Sequence, residues 1–415
     1  MKMNMCAIAS EGILYRSPDS AGIFCYTPFL AHGFSGRLIA SFDLGGSGIA
    51  GLPGPKSDHG DFGLGNQAKV FLSDDRGETW RHAADFGMLH ARVFRAGKRL
   101  YLLGHSGRLL ISASDDNGES WSPAAVLDGS RTWHQSGCTV DVHNGRVWLV
   151  MEVALRRKTW PDVSLVLMTA DAETDLTRPE NWRFSPEWAF HKEVAPCQPF
   201  GMPFYPTGDQ LPGAEDPRYS GEPGSLETNV LRIHDPRHHF FDPEDRTVVL
   251  LSRLHSGTTN MATMLRGREL ADGTLKIDMF TTPGGAPFFF VPLPGGQMKF
   301  QAIYDEVSQL YWMVNTQSTD SMTRPECLDS GRFNLPNNER RKLALHFSRN
   351  LVDWSFAGLV ACGEIEKASR HYASLLVDGD DLLILSRSGD RQARCAHNGN
   401  LITLHTVKNF KTLRW

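Results

Sequence analysis

The sequence lacks the features that mark membrane-bound, secreted or nucleic-acid-binding proteins. No apolar run approaches the roughly eighteen residues that a membrane-spanning helix needs, and the start, MKMNMCAIASEGILYRS, has no apolar core typical of a secretory signal. The formal net charge is only -4 at pH 7, so neither nucleic acid nor an anionic membrane is expected as a partner. We expect a globular protein that is cytoplasmic, or that is exported with its signal peptide absent from this sequence.

Motifs for metals, disulfides and nucleotides are also absent. The seven cysteines are scattered and odd in number, and no CxxC, HExxH, Walker loop or GxSxG motif occurs. The histidines of HDPRHHFFDPEDR stand among proline and aspartate and are interpreted as part of a polar turn. The sequence therefore predicts no metal site and no cofactor.

One short segment occurs twice. SDDRGETW begins at Ser73 and SDDNGESW begins at Ser114, 41 residues later (114 − 73), and a weaker copy, SRNLVDW, begins at Ser348. Both strong copies follow alternating apolar runs, which is typical of a hairpin turn between two strands. The acidic cluster is shorter than an EF-hand loop and lacks its final glutamate. A period of about 40 residues is typical of a four-stranded propeller blade.

The rest of the chain divides on the same rhythm into pairs of strand-like runs separated by turn residues. The six pairs are IFCYTPFLA/GRLIASFD, HARVFRAG/KRLYLLGH, GCTVDVHN/GRVWLVMEV, ETNVLRIHD/RTVVLLSRLH, MKFQAIYD/LYWMVNTQ and HYASLLVDG/DDLLILSRSG. Each pair predicts the first two strands of a blade, with blades spanning roughly 23–84, 88–127, 134–190, 225–283, 297–360 and 368–410. We expect one domain, residues 1–415, with loop insertions near 51–66, 191–224 and 318–340.

The two strong repeats resemble the Asp boxes of the sialidase (neuraminidase, BNR-repeat) superfamily. The later half, with GGQMKFQAIYD and DDLLILSRSG, is also similar to uncharacterised bacterial proteins labelled "sialidase family". The resemblance implies an all-β fold, a six-bladed β-propeller of four-stranded antiparallel blades, and a glycosidase-like activity. Sialidases usually carry an Arg-Ile-Pro-like motif on the first inner strand, whereas the matching place here reads Cys25-Tyr26-Thr27-Pro28. The chemistry therefore has to be argued from the site residues.

A propeller brings the starts of its first strands and the ends of its second strands to one mouth. These positions are mostly polar or ionisable here, although the strands behind them are apolar. The predicted catalytic residues are Glu227, Glu152, Asp43, His371 and Tyr372. The predicted substrate-binding residues are Arg92, His90, His134, Lys299, Arg370, Arg387, Asn229, His255 and Asn315. Strand ends that simply face water would explain any one of these residues, but explain the whole set less well.

Carboxylates are the natural catalysts for breaking a glycosidic bond, which usually needs one protonated and one ionised. Glu227 follows a long Pro/Gly-rich segment and is the leading candidate, with an ion pair to a neighbouring arginine as the alternative. Glu152 follows five apolar residues, so we expect it to be buried with a raised pKa, as suits a general acid. A structural ion pair with Arg156 or Arg157 is the alternative for Glu152. Asp43 stands in the segment Asp43-Leu44-Gly45-Gly46, so an ordinary turn is the alternative explanation for this aspartate.

Three functions remain open from the sequence. The first is a glycosidase acting from the chain end on an acidic, uronate- or sialate-like sugar, which the basic residues would hold. The second is a polysaccharide lyase in which a histidine or tyrosine abstracts the proton beside a uronate carboxylate. The third is a non-catalytic carbohydrate-binding propeller, with Trp133 as the best stacking candidate. All three predict a carbohydrate partner, and the sequence does not determine the oligomeric state.

Overall fold

Strands make up nearly all of the regular structure in the computed structural model, which describes residues 7–58, 65–155, 162–194, 224–332 and 335–415. In chain order the first fourteen strands are β1 (Ser10–Arg16), β2 (Phe24–Cys25), β3 (Phe29–His32), β4 (Leu38–Gly45), β5 (Gln67–Ser73), β6 (Arg81–Phe86), β7 (Leu89–Ala96), β8 (Arg99–Ser114), β9 (Ala125–Trp133), β10 (Asp141–His143), β11 (Arg146–Ala154), β12 (Val163–Asp171), β13 (Trp182–Phe184) and β14 (Trp188–Ala189). The other fourteen are β15 (Gly224–Leu231), β16 (Thr247–His255), β17 (Met261–Glu269), β18 (Leu275–Asp278), β19 (Phe280–Thr281), β20 (Pro287–Phe288), β21 (Phe290–Pro292), β22 (Gln301–Asp305), β23 (Leu310–Thr316), β24 (Lys342–Ser348), β25 (Trp354–Cys362), β26 (Arg370–Asp378), β27 (Asp381–Ser388) and β28 (Leu401–Val407).

Helical structure is confined to short turns in the part of the chain that the structure describes. It consists of one α-helix, α1 (Phe190–Glu193), and the 3₁₀ helices Ser47–Gly51, Pro179–Asn181, Pro325–Cys327, Ser330–Arg332, Pro336–Asn338 and Phe410–Thr412. None of the described helices is long and apolar enough to cross a membrane. This content agrees with the all-β fold that the sequence resemblance implies.

Four antiparallel sheets have four or five strands each. Their strand orders are β2-β4-β5-β6 with β3 on β4, β15-β16-β17-β18 with β21 on β17, β22-β23-β24-β25, and β1-β28-β27-β26. In the last of these, the first described strand, β1, pairs with β28 near the end of the chain. The two ends of the chain are thus held in one sheet, while β19 and β20 form a separate two-stranded sheet.

Strands β7 to β14 form a single sheet of eight strands. Its two halves meet at Trp133, whose backbone pairs with Gly107 on one side and with Val153 on the other. The sequence predicts two separate runs, KRLYLLGH and RLLISAS, where the structure has the one 16-residue strand β8. Gly107, at φ 69°, lies where β8 changes its partner from β7 to β9, which merges the two predicted runs.

The six strand pairs predicted from the sequence all form antiparallel ladders. The innermost strands also contact one another around a ring: β3 contacts β7, β11 contacts β15, β15 contacts β22, β22 contacts β26, and β26 contacts β3. The link from β7 to β11 is made by Arg92, whose Nη2 lies 2.9 Å from Sδ of Met151. The all-β, propeller-like arrangement is therefore confirmed.

Apolar side chains fill the spaces between neighbouring sheets. Trp312 and Leu345 of one sheet pack with Ile384 of the last sheet and with Phe410. Leu38 and Phe42 of the first sheet pack with Leu385 and Ile402 of the last. Because each sheet buries apolar side chains on both faces, burial of nonpolar surface holds the sheets side by side.

The two repeated turns have the same hydrogen bonds. Asp75 accepts from the backbone N–H of Thr79 at 2.9 Å, and Asp116 accepts from that of Ser120 at 2.8 Å. The indole N–H groups of Trp80 and Trp121 donate to Gly77 and Gly118, each at 3.1 Å. The weaker copy closes the same way, with Trp354 donating to Leu351, which takes the left-handed conformation (φ 65°) of those glycines.

These turns lie at the end of the strands away from the predicted mouth. In the ladder of β4 and β5, Asp43 pairs with Ala68, whereas Ser73, where the first turn begins, pairs with Leu38 at the other end. Asp75 and Asp116 thus bond within their own turns, while Asp74 and Asp115 pair with Arg37 and Arg99.

Parts of the predicted insertions lie outside the described residues. Residues 59–64 and 195–223 lie outside the described residues. Arg156 and Arg157, the alternative ion-pair partners of Glu152, also lie outside them. In the third insertion, the buried Arg332 donates to Asp320 at 2.7 and 2.9 Å. The described cysteines, Cys25, Cys138, Cys327, Cys362 and Cys395, are all free thiols.

Candidate active site

Three inner strands carry the same backbone irregularity at the mouth. His90, Glu227 and Tyr372 have φ values of 52°, 54° and 50°, a left-handed conformation that non-glycine residues rarely adopt. At each of them the ladder with the next strand shifts register, in β7, β15 and β26 respectively. A bulge of this kind redirects a side chain, and such strained positions concentrate at functional sites. All three were predicted as site residues.

The Glu227 cluster consists of Glu227, Arg253 and Tyr372. Nη1 of Arg253 donates to Oε2 of Glu227 at 3.0 Å and to the hydroxyl oxygen of Tyr372 at 2.7 Å. The side chains of Glu227 and Arg253 are each 4% exposed. The strands β15, β16 and β26 thus deliver a carboxylate, a guanidinium and a phenol to one buried point.

Charge compensation sets the protonation of this cluster. Burial raises the pKa of the Glu227 carboxyl, but the adjacent Arg253 and the hydrogen bond from Tyr372 outweigh it, so the pKa lies below its usual value. Burial raises the pKa of Tyr372 to about 12, although Arg253 acts in the opposite direction. At neutral pH Glu227 is therefore ionised and Tyr372 carries its proton.

Glu152 lies beside this cluster on β11. Its Oε1 accepts from the backbone N–H of Glu227 and, at 2.9 Å, from Nε2 of Gln135. Its other oxygen, Oε2, is buried without a hydrogen-bond partner among the described residues. Burial raises the pKa of Glu152 to about 8, with a further contribution from the negative charge of Glu227. The sequence prediction of a buried glutamate with a raised pKa agrees with this geometry.

Basic and aromatic side chains surround Tyr372. The guanidinium carbon of Arg387 lies 5.4 Å from the ring centre of Tyr372 and 4.3 Å from that of Tyr26. Arg340 lies 5.6 Å from the Tyr372 ring, and its Nη1 is 3.0 Å from Nδ1 of His371. Burial, followed by the charge of Arg340, lowers the pKa of His371 well below its usual value. Three arginines, including Arg253, thus converge on Tyr372.

The histidine cluster consists of His90, His105 and His134. Its ring centres are 5.2 to 5.5 Å apart. Asp43 lies behind His90: its Oδ1 accepts from the His90 backbone N–H at 3.3 Å and lies 3.4 Å from Nδ1 of the ring. The cluster adjoins Glu152, whose backbone oxygen accepts from the N–H of His134 at 2.8 Å.

Several predicted substrate-binding residues make structural contacts in the inner ring. Lys299 donates to the backbone oxygen of Ala373 at 2.9 Å, and Asn229 Oδ1 accepts from Thr139 at 2.8 Å. Nη1 of Arg92 donates to Cys138 O at 3.3 Å. These contacts tie the inner strands together, and a part for these residues in substrate binding stays a prediction.

Arg370, Asn315 and His255 lie outside the two clusters. Arg370 forms a two-pronged ion pair with Glu11 of β1, at 2.9 and 2.7 Å, so it helps to close the last sheet. Asn315 contacts Nδ1 of His346 at 3.3 Å. His255 ends β16 two residues beyond Arg253, and burial lowers its pKa to about 3. The structure does not bring Arg370 or Asn315 to the Glu227 cluster.

The sequence does not predict Arg253, Arg340 or Gln135 as site residues. For β16 it predicts the strand end His255, whereas Arg253, two residues earlier and therefore on the same face of the strand, contacts Glu227. A second signal was present in the three bulges, which share a large residue, a small residue and a polar residue: His90-Ala91-Arg92, Glu227-Thr228-Asn229 and Tyr372-Ala373-Ser374.

Two open clefts lie at the other end of the strands. One of about 640 Å³ is lined by residues that include Asn144, Arg146 and Asp245. Arg146 begins β11, and Glu152 lies near its other end. Because the strained, buried ionisable groups converge at the opposite mouth, we place the candidate site at that mouth.

The class of fold is the sialidase-like β-propeller. The α-L-arabinanase of Penicillium chrysogenum, solved with arabinobiose, matches with a TM-score of 0.51 and 12% identity over 97% of this chain and 98% of that one. A Trypanosoma rangeli sialidase, solved with 2,3-difluorosialic acid, matches with a TM-score of 0.55 and 14% identity over 99% of this chain and 60% of that one.

A protein of unknown function from Dyadobacter fermentans matches with a TM-score of 0.53 and 13% identity over 97% of this chain and 98% of that one. No protein-family model and no curated protein matches the sequence. At these identities the likeness shows the fold, which confirms the predicted sialidase-like architecture. This fold is shared with glycoside hydrolases.

Proposed function

We propose that the protein is a glycoside hydrolase that acts at the end of a carbohydrate chain, with Glu152 as the general acid and Glu227 as the ionised carboxylate. The observation that carries the proposal is the contrast between two adjacent glutamates. Glu227 is paired with the buried Arg253, whereas the hydrogen-bond partners of Glu152 are neutral groups. Two carboxyl groups in unlike environments, one charged and one neutral, are what glycosidic cleavage requires.

In this scheme the carboxyl group of Glu152 donates its proton to the glycosidic oxygen as the bond to the anomeric carbon breaks. The carboxylate of Glu227 acts on the other side, either by bonding to the anomeric carbon or by taking a proton from the attacking water. Tyr372 and Arg253 orient Glu227 through hydrogen bonds, and Tyr372 is the alternative nucleophile with Glu227 as its base.

The substrate that we propose carries an acidic group. Arg340 and Arg387 flank Tyr372, and guanidinium groups recognise carboxylates by paired hydrogen bonds. Among the proteins of similar fold, one is named a sialidase and others an arabinanase and an arabinofuranosidase. A sialate- or uronate-like sugar agrees with the basic rim, and a neutral furanoside is the contrasting substrate.

We also propose the finer features of the fold. The eight-stranded sheet counts as two blades that meet at Trp133, which gives six blades in a single domain spanning residues 1–415. The turns at Asp75 and Asp116 are Asp boxes, supported by their identical hydrogen bonds.

A panel of chromogenic α-L-arabinofuranosides, sialosides and uronides, together with oligosaccharides that contain a 4-linked uronate, tests the activity. We expect release of the free sugar with a new reducing end and no ultraviolet-absorbing unsaturated product. An unsaturated uronate would instead identify a lyase, and saturable binding without turnover of any panel member would identify a carbohydrate-binding propeller. Either result would contradict the proposal.

A further inference from the structure

The histidine cluster has a geometry that the proposed hydrolysis does not use. Each of His90, His105 and His134 offers one ring nitrogen, and these three nitrogens lie within 4.8 Å of one another. Zinc binds imidazole nitrogen at about 2.0–2.1 Å, which places the nitrogens of a tetrahedral site about 3.4 Å apart. Binding of one ion would therefore require the nitrogens to move closer by up to about 1.4 Å (4.8 − 3.4), through rotation of the side chains.

We propose that His90, His105 and His134 form a binding site for one divalent first-row transition metal ion, with zinc as the expected ion. Three neutral imidazoles and an open position are the ligand set of many zinc sites that bind water or a substrate oxygen. His90 and His105 are 6% and 2% exposed, so an ion bound between them would be shielded from solvent.

The groups around the cluster fit this assignment. Oδ1 of Asp43 lies 3.4 Å from Nδ1 of His90, which leaves Nε2 of that ring as the ligand atom. Asp43 is itself held by Nδ2 of Asn66 at 2.9 Å. The backbone N–H of Gln135 donates to Nε2 of His105 at 3.3 Å, so Nε2 is the nitrogen with the lone pair, and a metal bound there would replace this hydrogen bond. A carboxylate behind a ligating histidine is the usual arrangement that fixes the orientation of such a ring.

The position of the site indicates what its open coordination position binds. His134 is adjacent to Gln135, the hydrogen-bond partner of Glu152, and its N–H donates to the backbone oxygen of Glu152. A metal at this place would meet a carbohydrate at the same mouth as the two glutamates. We expect it to hold a water molecule or a hydroxyl or carboxylate oxygen of the sugar.

No short motif in the sequence signals this site, because its ligands come from β7, from β8 and from the residue after β9. Their separations of 15 (105 − 90) and 29 (134 − 105) residues match none of the common zinc spacings. The sequence predicts no metal for this reason, and the three rings come together because β7, β8 and β9 are neighbours in one sheet.

Metal binding to the full chain tests the proposal without any substrate. The protein is stripped with a chelator, dialysed and titrated with Zn²⁺ by calorimetry, and with Co²⁺ by visible absorption. We expect one ion per chain and, with Co²⁺, the absorption bands of a four- or five-coordinate site. His134→Gln is expected to abolish these bands, and Asp43→Asn to weaken Zn²⁺ binding about 10–100-fold.

His82→Gln serves as the matched control, because His82 is a surface histidine whose ring contacts Asp85. If His134→Gln fails to fold, as judged by circular dichroism, His105→Gln replaces it. Absence of saturable binding to the wild-type protein, or equal binding by the wild-type and His134→Gln proteins, would overturn the proposal. Because no turnover is measured, failure here leaves the hydrolase proposal to its own test.

Discussion

At the scale of single residues, the pair Glu227–Arg253 combines a structural and a chemical part. Both side chains are 4% exposed, and Nη1 of Arg253 lies 3.0 Å from Oε2 of Glu227, so each charge offsets the cost of burying the other. Removing one partner of a buried pair leaves an unpaired charge, which is far more costly than losing an exposed pair.

Arg253→Met is therefore expected to lower the free energy of unfolding by about 3–5 kcal/mol. Adding Glu227→Gln removes the stranded charge, so the double variant is expected to recover part of that loss. Urea denaturation of the two single variants and the double variant measures this coupling. Arg237→Ala, which removes an exposed pair with Asp235, is the control and should cost no more than about 1 kcal/mol. Additive losses in the double variant would show that the pair is not coupled.

Tyr372→Phe distinguishes the two roles proposed for Tyr372, which are to orient Glu227 and to act as the nucleophile. If Tyr372 orients Glu227, the variant loses one hydrogen bond and kcat falls about 10-fold, as expected for about 1.4 kcal/mol. The Glu227→Gln variant is expected to lose far more. Steady-state kinetics on the best substrate of the panel compares the two, and an equal loss would assign the nucleophile to Tyr372.

The sequence predicts Glu152, Glu227 and Tyr372 because they stand where apolar strands begin or end. It does not predict Arg253, because the bulge in β15 sets the register that places this side chain against Glu227. Arg370 shows the opposite case: its position at the start of β26 suggests the mouth, but Glu11 of β1 takes up its charge. A sequence pattern indicates which residues lie at the ends of strands, but it does not indicate which side chains those residues contact.

At the scale of elements, the bulges and the repeated turns lie at opposite ends of the strands and have different roles. The bulges at His90, Glu227 and Tyr372 aim side chains into the mouth, and the repeated turns close the other end. The turns depend on glycine, because Gly77 and Gly118 have φ values of 90° and 89°. Turn chemistry of this kind is readable from sequence, while the φ of a bulge is not.

Gly77→Ala is expected to destabilise the protein more than Gly36→Ala. Both residues have positive φ, 90° and 80°, so both variants strain the backbone by about 1 kcal/mol. A Cβ at Gly77 would lie 2.4 Å from Cδ2 of the buried Leu404, whereas a Cβ at Gly36 meets nothing within 4 Å. The extra crowding is expected to cost about 1–3 kcal/mol. Urea midpoints measure both variants, and equal midpoints would mean that Leu404 yields freely.

At the scale of the whole molecule, the interior holds several neutral histidines. Burial lowers the pKa of His346 to about 4 and, despite the opposing charge of Glu11, that of His405 to about 4. In the unfolded chain both would titrate near about 6.5. The unfolded state therefore binds more protons than the native state between about pH 6.5 and 4, and stability falls as the pH falls through that window.

Each of these histidines is expected to remove about 1.4 kcal/mol of stability between pH 7.5 and 5.5. Urea denaturation at the two pH values measures the loss, and His346→Gln, which removes one titrating group, should lose about 1.4 kcal/mol less than the wild type over the same interval. An unchanged pH dependence in the variant would show that the pKa of His346 in the native state equals its unfolded value.

The all-β, propeller-like architecture is predictable because each blade repeats a local pattern of two strands and a turn. The number of separate sheets is not predictable from the sequence. Gly107 and Trp133 join two neighbouring meanders through backbone pairs, and no local sequence pattern indicates these pairs. The histidine cluster depends on the same junction, because its three rings meet where β8 changes its partner from β7 to β9.

The division of labour between Glu152 and Glu227 is the central claim, and a leaving-group comparison tests it most directly. Aryl glycosides with a poor and a good leaving group are hydrolysed by the wild type, Glu152→Gln and Glu227→Gln, with the exposed Glu364→Gln as control. We predict that Glu152→Gln loses about 10²–10⁴-fold on the poor leaving group and little on the good one, because only the poor one needs a proton. Glu227→Gln should lose activity on both, and equal losses of Glu152→Gln on both substrates would contradict the account.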